Sequence, residues 1–199
     1  MKKNVSISML IALSATIANA SQADDAGFVY IATTAEGMRT LHELKYEFAM
    51  QGDYVVTGAK NREDVFNGTP YKISLAAFIS DSTAIMIHAE TVADRSGTSD
   101  YSNLPSVDWP DSSFRSSGYD CMEVPPEAIE GEHDLEWLVA NNFQPSGTVL
   151  LAQYFTSSDD NNAEIVVSII HHVESCDNEA RNLASLNMIK EQATIAAIN

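Results

Sequence analysis

Tyr71-Lys-Ile-Ser-Leu-Ala-Ala-Phe-Ile-Ser80 is followed, across Asp81-Ser82, by Thr83-Ala-Ile-Met-Ile-His-Ala-Glu-Thr-Val92. Both runs are rich in branched and aromatic side chains, and the two polar residues between them suit a tight turn. The stretch therefore predicts two antiparallel strands. Gly147 to Thr156 and Glu164 to Glu174 repeat the arrangement around the polar turn Ser157-Ser-Asp-Asp-Asn-Asn162. Leu75-Ala-Ala-Phe78 echoes Leu151-Ala-Gln-Tyr154, and His88-Ala-Glu90 echoes His172-Val-Glu174. Hairpins of similar composition share that much without common descent, and a true repeat needs more matched positions.

Outward from these hairpins, Phe28 to Ile31 reads as a first strand. Leu44, Tyr46, Phe48 and Met50 alternate with polar or small neighbours, as a half-buried strand does. Gln51-Gly52-Asp53 then offers a turn into Tyr54-Val-Val-Thr57, making a further hairpin. Glu132 to Asn141 reads as a short helix with Leu135, Leu138 and Val139 on one face and Pro145 beyond its end. Asp177 can cap a final helix over residues 178–197, with Leu183, Leu186, Ile189, Ala193 and Ala196 as its apolar stripe. Antiparallel hairpins followed by a helix predict an α+β fold: an antiparallel sheet with the C-terminal helix packed on one face, in a single domain over residues 21–199. Residues 94–131 shift to serine, glycine, proline and aspartate and predict a long irregular loop.

Residues 1–20 carry a separate signal. Lys2 and Lys3 precede an apolar stretch from Val5 to Ile17, and Ala18-Asn19-Ala20 forms a small-x-small site. Thirteen residues that include Ser6, Ser8, Ser14 and Thr16 fall short of the roughly 18 to 20 apolar residues a membrane span needs. The pattern predicts a signal peptide, and hence a mature chain in the periplasm or secreted, with no membrane span. In such a compartment Cys121 and Cys176, the two cysteines, are expected to form a disulfide.

Lysine plus arginine total 11 against 28 aspartate plus glutamate, a formal charge of −17. That balance argues against a phosphate-binding surface and so against nucleic acid as a partner. No phosphate loop, dinucleotide fingerprint, nucleophile elbow or zinc-protease helix occurs. No cofactor is implied by motif.

Two sets of residues could carry function. Tyr101, Trp109, Phe114 and Tyr119 punctuate the irregular loop and could form a ligand-binding surface, or tuck the loop against its own domain. His88 with Glu90, and His172 with Glu174, each share a face of a strand, because residues two apart point the same way. Were the two strands neighbours in register, two imidazoles and two carboxylates would meet and could hold zinc or a similar divalent metal. His171 faces oppositely, toward the core. Asp159, Asp160, Asn161, Asn162 and Glu164 gather oxygen donors of the kind calcium takes, though turn chemistry selects the same residues. Glu127, Glu130, Glu132, His133, Asp134 and Glu136 crowd a helix start, where negative charge complements the dipole and an acid/base pair could also sit. These readings point to an exported, non-enzymatic module binding a protein or a small ligand. The rival is a metal-dependent hydrolase centred on His88, Glu90, His172 and Glu174.

Overall fold

The computed structural model describes residues 27–107, 109 and 114–198. The predicted leader lies outside these residues. In chain order come β1 (Ile31–Thr33), β2 (Met38–Thr40), β3 (Tyr46–Met50), β4 (Val55–Val56), β5 (Lys60–Phe66), β6 (Thr69–Ile79) and β7 (Thr83–Val92). They are followed by β8 (Tyr119–Val124), a 3-10 turn at Pro126–Ala128, α1 (His133–Ala140), β9 (Gly147–Ser157), β10 (Ala163–His172), α2 (Glu179–Gln192) and β11 (Ala193–Ala197). The fold is α+β and sheet-dominated, with every strand pairing antiparallel.

The strands form two sheets rather than one. The larger has the order β4-β6-β7-β10-β9-β8, with β5 also pairing with β6, and the smaller has the order β1-β2-β3-β11. Both long hairpins are present, and their second strands, β7 and β10, pair with each other at the centre of the larger sheet. The sequence echoes do not superpose. Leu75 lies opposite His88, whereas Leu151 lies opposite Ile170 and His172 opposite Val149.

Three expectations change. The alternating run ending at Met50 and the Val55–Val56 strand do not form a hairpin: β3 pairs with β2 and β11, and β4 pairs with β6 in the other sheet. The last helix ends at Gln192 rather than 197. Ala193-Thr-Ile-Ala-Ala197 leaves it as a strand that seats Ile195 opposite Phe48, both buried. Branched Thr194 and Ile195 favour the pleated surface that β3 offers them. The 94–131 segment is not wholly irregular, because Arg115 bridges to Phe155 and Tyr119 to Val124 pair with β9 as an edge strand.

Alternation along the central strands divides the core in two. Phe78, Ile87, Ile165 and Val167 on one face of the larger sheet belong to one buried cluster with Phe48 and Ile195 of the smaller sheet and Leu186 and Ile189 of α2. The opposite face presents Leu75, Met86, Val149 and Ile170 to Trp137 and Leu138 of α1 and to Phe143 beyond it. Burying each such side chain contributes roughly 1.5–3 kcal/mol. The disulfide between Cys121 and Cys176, with Cα atoms 5.5 Å apart, ties edge strand β8 to the segment leading into α2. Among the described residues no helix is long and apolar enough to cross a membrane.

Candidate functional site

The α1-bearing face of the larger sheet is covered at both ends and open between. α1 lies over the Ala84 and Ile170 end. At the other end Tyr101 stacks on Phe155, centroids 4.5 Å apart, and its hydroxyl donates to Glu164 Oε2. Two hollows lie in the gap, of about 270 Å³ and about 250 Å³. Leu151 and Gln153 of β9 line both, so they form one groove along the strand.

Register decides which polar groups reach this groove. Glu164 stands directly opposite Glu90, and Val166 opposite His88. His88, Glu90 and Glu164 therefore share the open face, and all three are buried. His88 Nδ1 is 3.0 Å from Glu90 Oε1. On the far side of the imidazole, Nε2 is 3.6 Å from Asp134 Oδ2, too long for a hydrogen bond, and it has no hydrogen-bond partner among the described residues. Asp134 sits in the first turn of α1, where the helix dipole favours a carboxylate. Its Oδ1 accepts from Arg62 Nη2 at 2.9 Å, and Arg62 Nη1 also donates to Asp64 at 3.0 Å.

The electrostatics follow from this crowding. Burial opposes charging of His88, but Asp134 first, and then Glu90, outweigh it and raise its pKa above the ordinary imidazole value. Glu164 is pushed up to about 7, chiefly by burial and then by the facing Glu90 carboxylate, with the Tyr101 hydrogen bond pulling the other way. His88 and Arg62 stand against the carboxylates of Glu90, Asp134 and Asp64, and the raised pKa of Glu164 limits the further negative charge added to this set. Such a set can keep a proton between facing carboxylates and present one imidazole nitrogen toward the groove.

The residues singled out from sequence are distributed differently. β7 and β10 are neighbours, as the metal reading required, yet their register sets His171 opposite Thr83. His172 therefore lies at the far end of β10 from His88. There its Nε2 donates to the Gln144 carbonyl at 2.8 Å, and Glu174, past the strand end, pairs with Arg181 at 2.6 Å. His88 and Glu90 are brought together; His172 and Glu174 do not join them. Among the described residues, no group of three or more histidine, cysteine, aspartate or glutamate side chains is arranged to hold a metal ion.

The four aromatics do not share a surface either. Trp109 and Phe114 are buried in the core between the sheets, against Tyr154 and Tyr46 respectively. Tyr119 donates to the Glu179 carbonyl beside α2. Only Tyr101 of these four borders the groove. His171 bonds to Thr83 through Nδ1 at 2.8 Å. The Asp159 to Asn162 turn is held by its own bonds, Ser158 and Asn162 both donating to Asp160 Oδ1.

Arg62, Gln153 and Ser168 carry no motif in the sequence, where Asp134 belongs to the acidic run at a helix start and Glu164 to the oxygen-rich turn after Asp159. The available signal was the mixed face Glu164-x-Val166-x-Ser168-x-Ile170, in which polar side chains occupy positions of an otherwise apolar strand. Gln153 Nε2 donates to Ser168 Oγ at 3.2 Å on the groove floor. A wider depression, about 520 Å³, lies over the smaller sheet and is lined by Ala32, Ala49, Ala196 and an Arg39–Glu47 cross-strand pair. It contains no buried titratable group comparable to His88. Comparison with known family models, curated proteins and solved structures returns no match, so the groove is read from its own residues.

Proposed function

We propose that the protein is a binding module of the periplasm or the extracellular space that holds a small ligand in the groove between α1 and Tyr101. The observation that carries this reading is the pairing of a partly uncovered apolar floor with a buried imidazole nitrogen at its edge that lies 3.6 Å from Asp134 and has no hydrogen-bond partner among the described residues. Ligand sites combine these two ingredients: a hollow that removes apolar surface from water, and a few fixed polar groups that set orientation. The Cys121–Cys176 disulfide and the leader-like sequence of residues 1–20 support an oxidising compartment.

The experiment is a thermal-shift screen of a small-molecule library, repeated on Leu151→Trp, whose indole fills the place where the two hollows meet. Hits are expected to move the methyl resonances of Met86 and Met122, which flank the larger hollow, and to disappear with the tryptophan. A screen whose hits leave both methyls unmoved and survive in Leu151→Trp overturns the reading.

A further inference from the structure

The polar edge of the larger hollow narrows the chemistry of what it can hold. His88 Nδ1 is committed to Glu90, and Asp134 Oδ1 to Arg62. What remains is His88 Nε2 and Asp134 Oδ2, 3.6 Å apart, with both residues lining the hollow. With the first ring nitrogen donating to Glu90 and the imidazole charged, Nε2 offers a second N–H, while Oδ2 offers only an acceptor. The separation is too long for a direct bond. An oxygen set to one side of the line between them can lie within hydrogen-bond distance of each.

We infer that the groove takes a neutral, largely apolar molecule carrying a hydroxyl group, whose oxygen accepts from His88 Nε2–H and whose proton is donated to Asp134 Oδ2. This rests on the groove being a ligand site. A hydroxyl is the small group that both accepts and donates at one atom. An ammonium would be set against the imidazolium. A carboxylate would be set against Asp134, with Glu132 lining the same hollow. The rest of the lining is mainly apolar, with Met122, Val149, Leu151 and Ile170 available to an alkyl or ring body. Nε2 is screened from bulk solvent, whereas Asp134 is partly exposed. The hydroxyl thus reaches the imidazole by turning the Asp134 carboxylate aside while keeping it as its acceptor. Breaking that bridge leaves a buried donor unmet, which is costly.

The test uses three probes with one tail and three heads: 1-octanol, octanoate and octylammonium. Each is titrated into the full mature chain labelled at methionine methyls and histidine ring nitrogens. Octanol is expected to saturate, moving Met86, Met122 and the His88 Nε2 resonance together, with the two charged probes about tenfold weaker or worse. Asp134→Asn and His88→Phe should each weaken octanol about tenfold, and Leu151→Trp should abolish it. Where His88→Phe fails to fold, Asp134→Asn decides. Octanoate or octylammonium binding as tightly as octanol overturns the hydroxyl while leaving the groove standing. Octanol binding that ignores both substitutions does the same, because the bridge is then occupied by water alone. No saturable shift with any probe overturns the inference and counts against the groove as well.

Discussion

Glu90 and Glu164 face each other across the β7–β10 pairing, 6% and 3% exposed, near one end of the two central strands of the larger sheet. Two carboxylates so placed cannot both ionise without severe repulsion in a medium of low polarisability. His88 on one side of Glu90 and the Tyr101 hydroxyl on Glu164 supply part of the compensation, and a retained proton supplies the rest.

The retained proton makes stability depend on pH in a definite sense. Glu164 has its folded pKa raised from 4.5 to about 7, so the folded state binds more protons than the unfolded chain between those values. Its contribution is complete below about pH 4.5 and is lost as pH climbs through about 7. His88, also raised, loses its contribution on the alkaline side too. His42 and His171, lowered mainly by burial, act oppositely and lose theirs as pH falls below the ordinary imidazole range. Subtracting the unfolding free energy of Glu164→Gln from that of the native sequence isolates the carboxyl. The difference should swing against the native chain by roughly 3 kcal/mol from pH 4.5 to pH 8. A flat difference would show that Glu164 ionises normally.

Arg62 neutralises Asp134, and its charge also opposes that of His88. Arg62→Met should move the His88 imidazole to a still higher pKa, read by ring resonances through a pH titration. It should also cost about 1–3 kcal/mol, because a partly buried carboxylate loses a charge-assisted partner. An unmoved or lowered His88 titration would mean that the guanidinium and the imidazole do not sense each other through Asp134.

Cys121 and Cys176 are 55 residues apart in sequence. Closing a loop of that size restricts the unfolded chain by about 4 kcal/mol on the chain-entropy account. The double variant Cys121→Ser/Cys176→Ser should therefore unfold at lower denaturant, by roughly 2–4 kcal/mol. α2 should show the earliest loss of amide protection, since its leading segment is then released from β8. Equal protection across α2 in both forms would place the constraint elsewhere.

Gly37 sits so close to β3 that a side-chain carbon added there would lie 2.4 Å from the Phe48 carbonyl oxygen. Gly37→Ala must push the β1–β2 turn away from β3. Chemical denaturation should record a loss of about 1–3 kcal/mol, in the range of an overpacked interior position. A variant as stable as the parent would show that the turn relaxes freely.

Branched and aromatic enrichment around short polar turns makes β6, β7, β9 and β10 legible from sequence, and the apolar face of Leu135, Leu138 and Val139 does the same for α1. β5 is not legible, because Lys60-Asn-Arg-Glu-Asp64 is too charged to read as a strand, and it tolerates that charge as a flanking strand paired only with β6. A signal did exist in Asn67-Gly68, which adopts φ of 52° and 84° between β5 and β6, as a tight hairpin turn of the mirror-image kind requires. The candidate site was half legible. His88 with Glu90 follows from period-two geometry, which is local. Glu164 opposite Glu90, Asp134 beside His88 and Tyr101 on Glu164 all depend on register and on helix placement, which no local pattern encodes. The same dependence separated His172 from His88.

The strand from Ala193 to Ala197 closes the smaller sheet against Tyr46–Met50, a pairing that spans most of the described chain. As the polypeptide enters the compartment where it folds, N-terminus first, one edge of β3 must wait unmatched until Ala193–Ala197 has followed. Maturation of that layer is thus a late event, and a chain halted before Ile195 retains an adhesive ribbon that chaperones can grip.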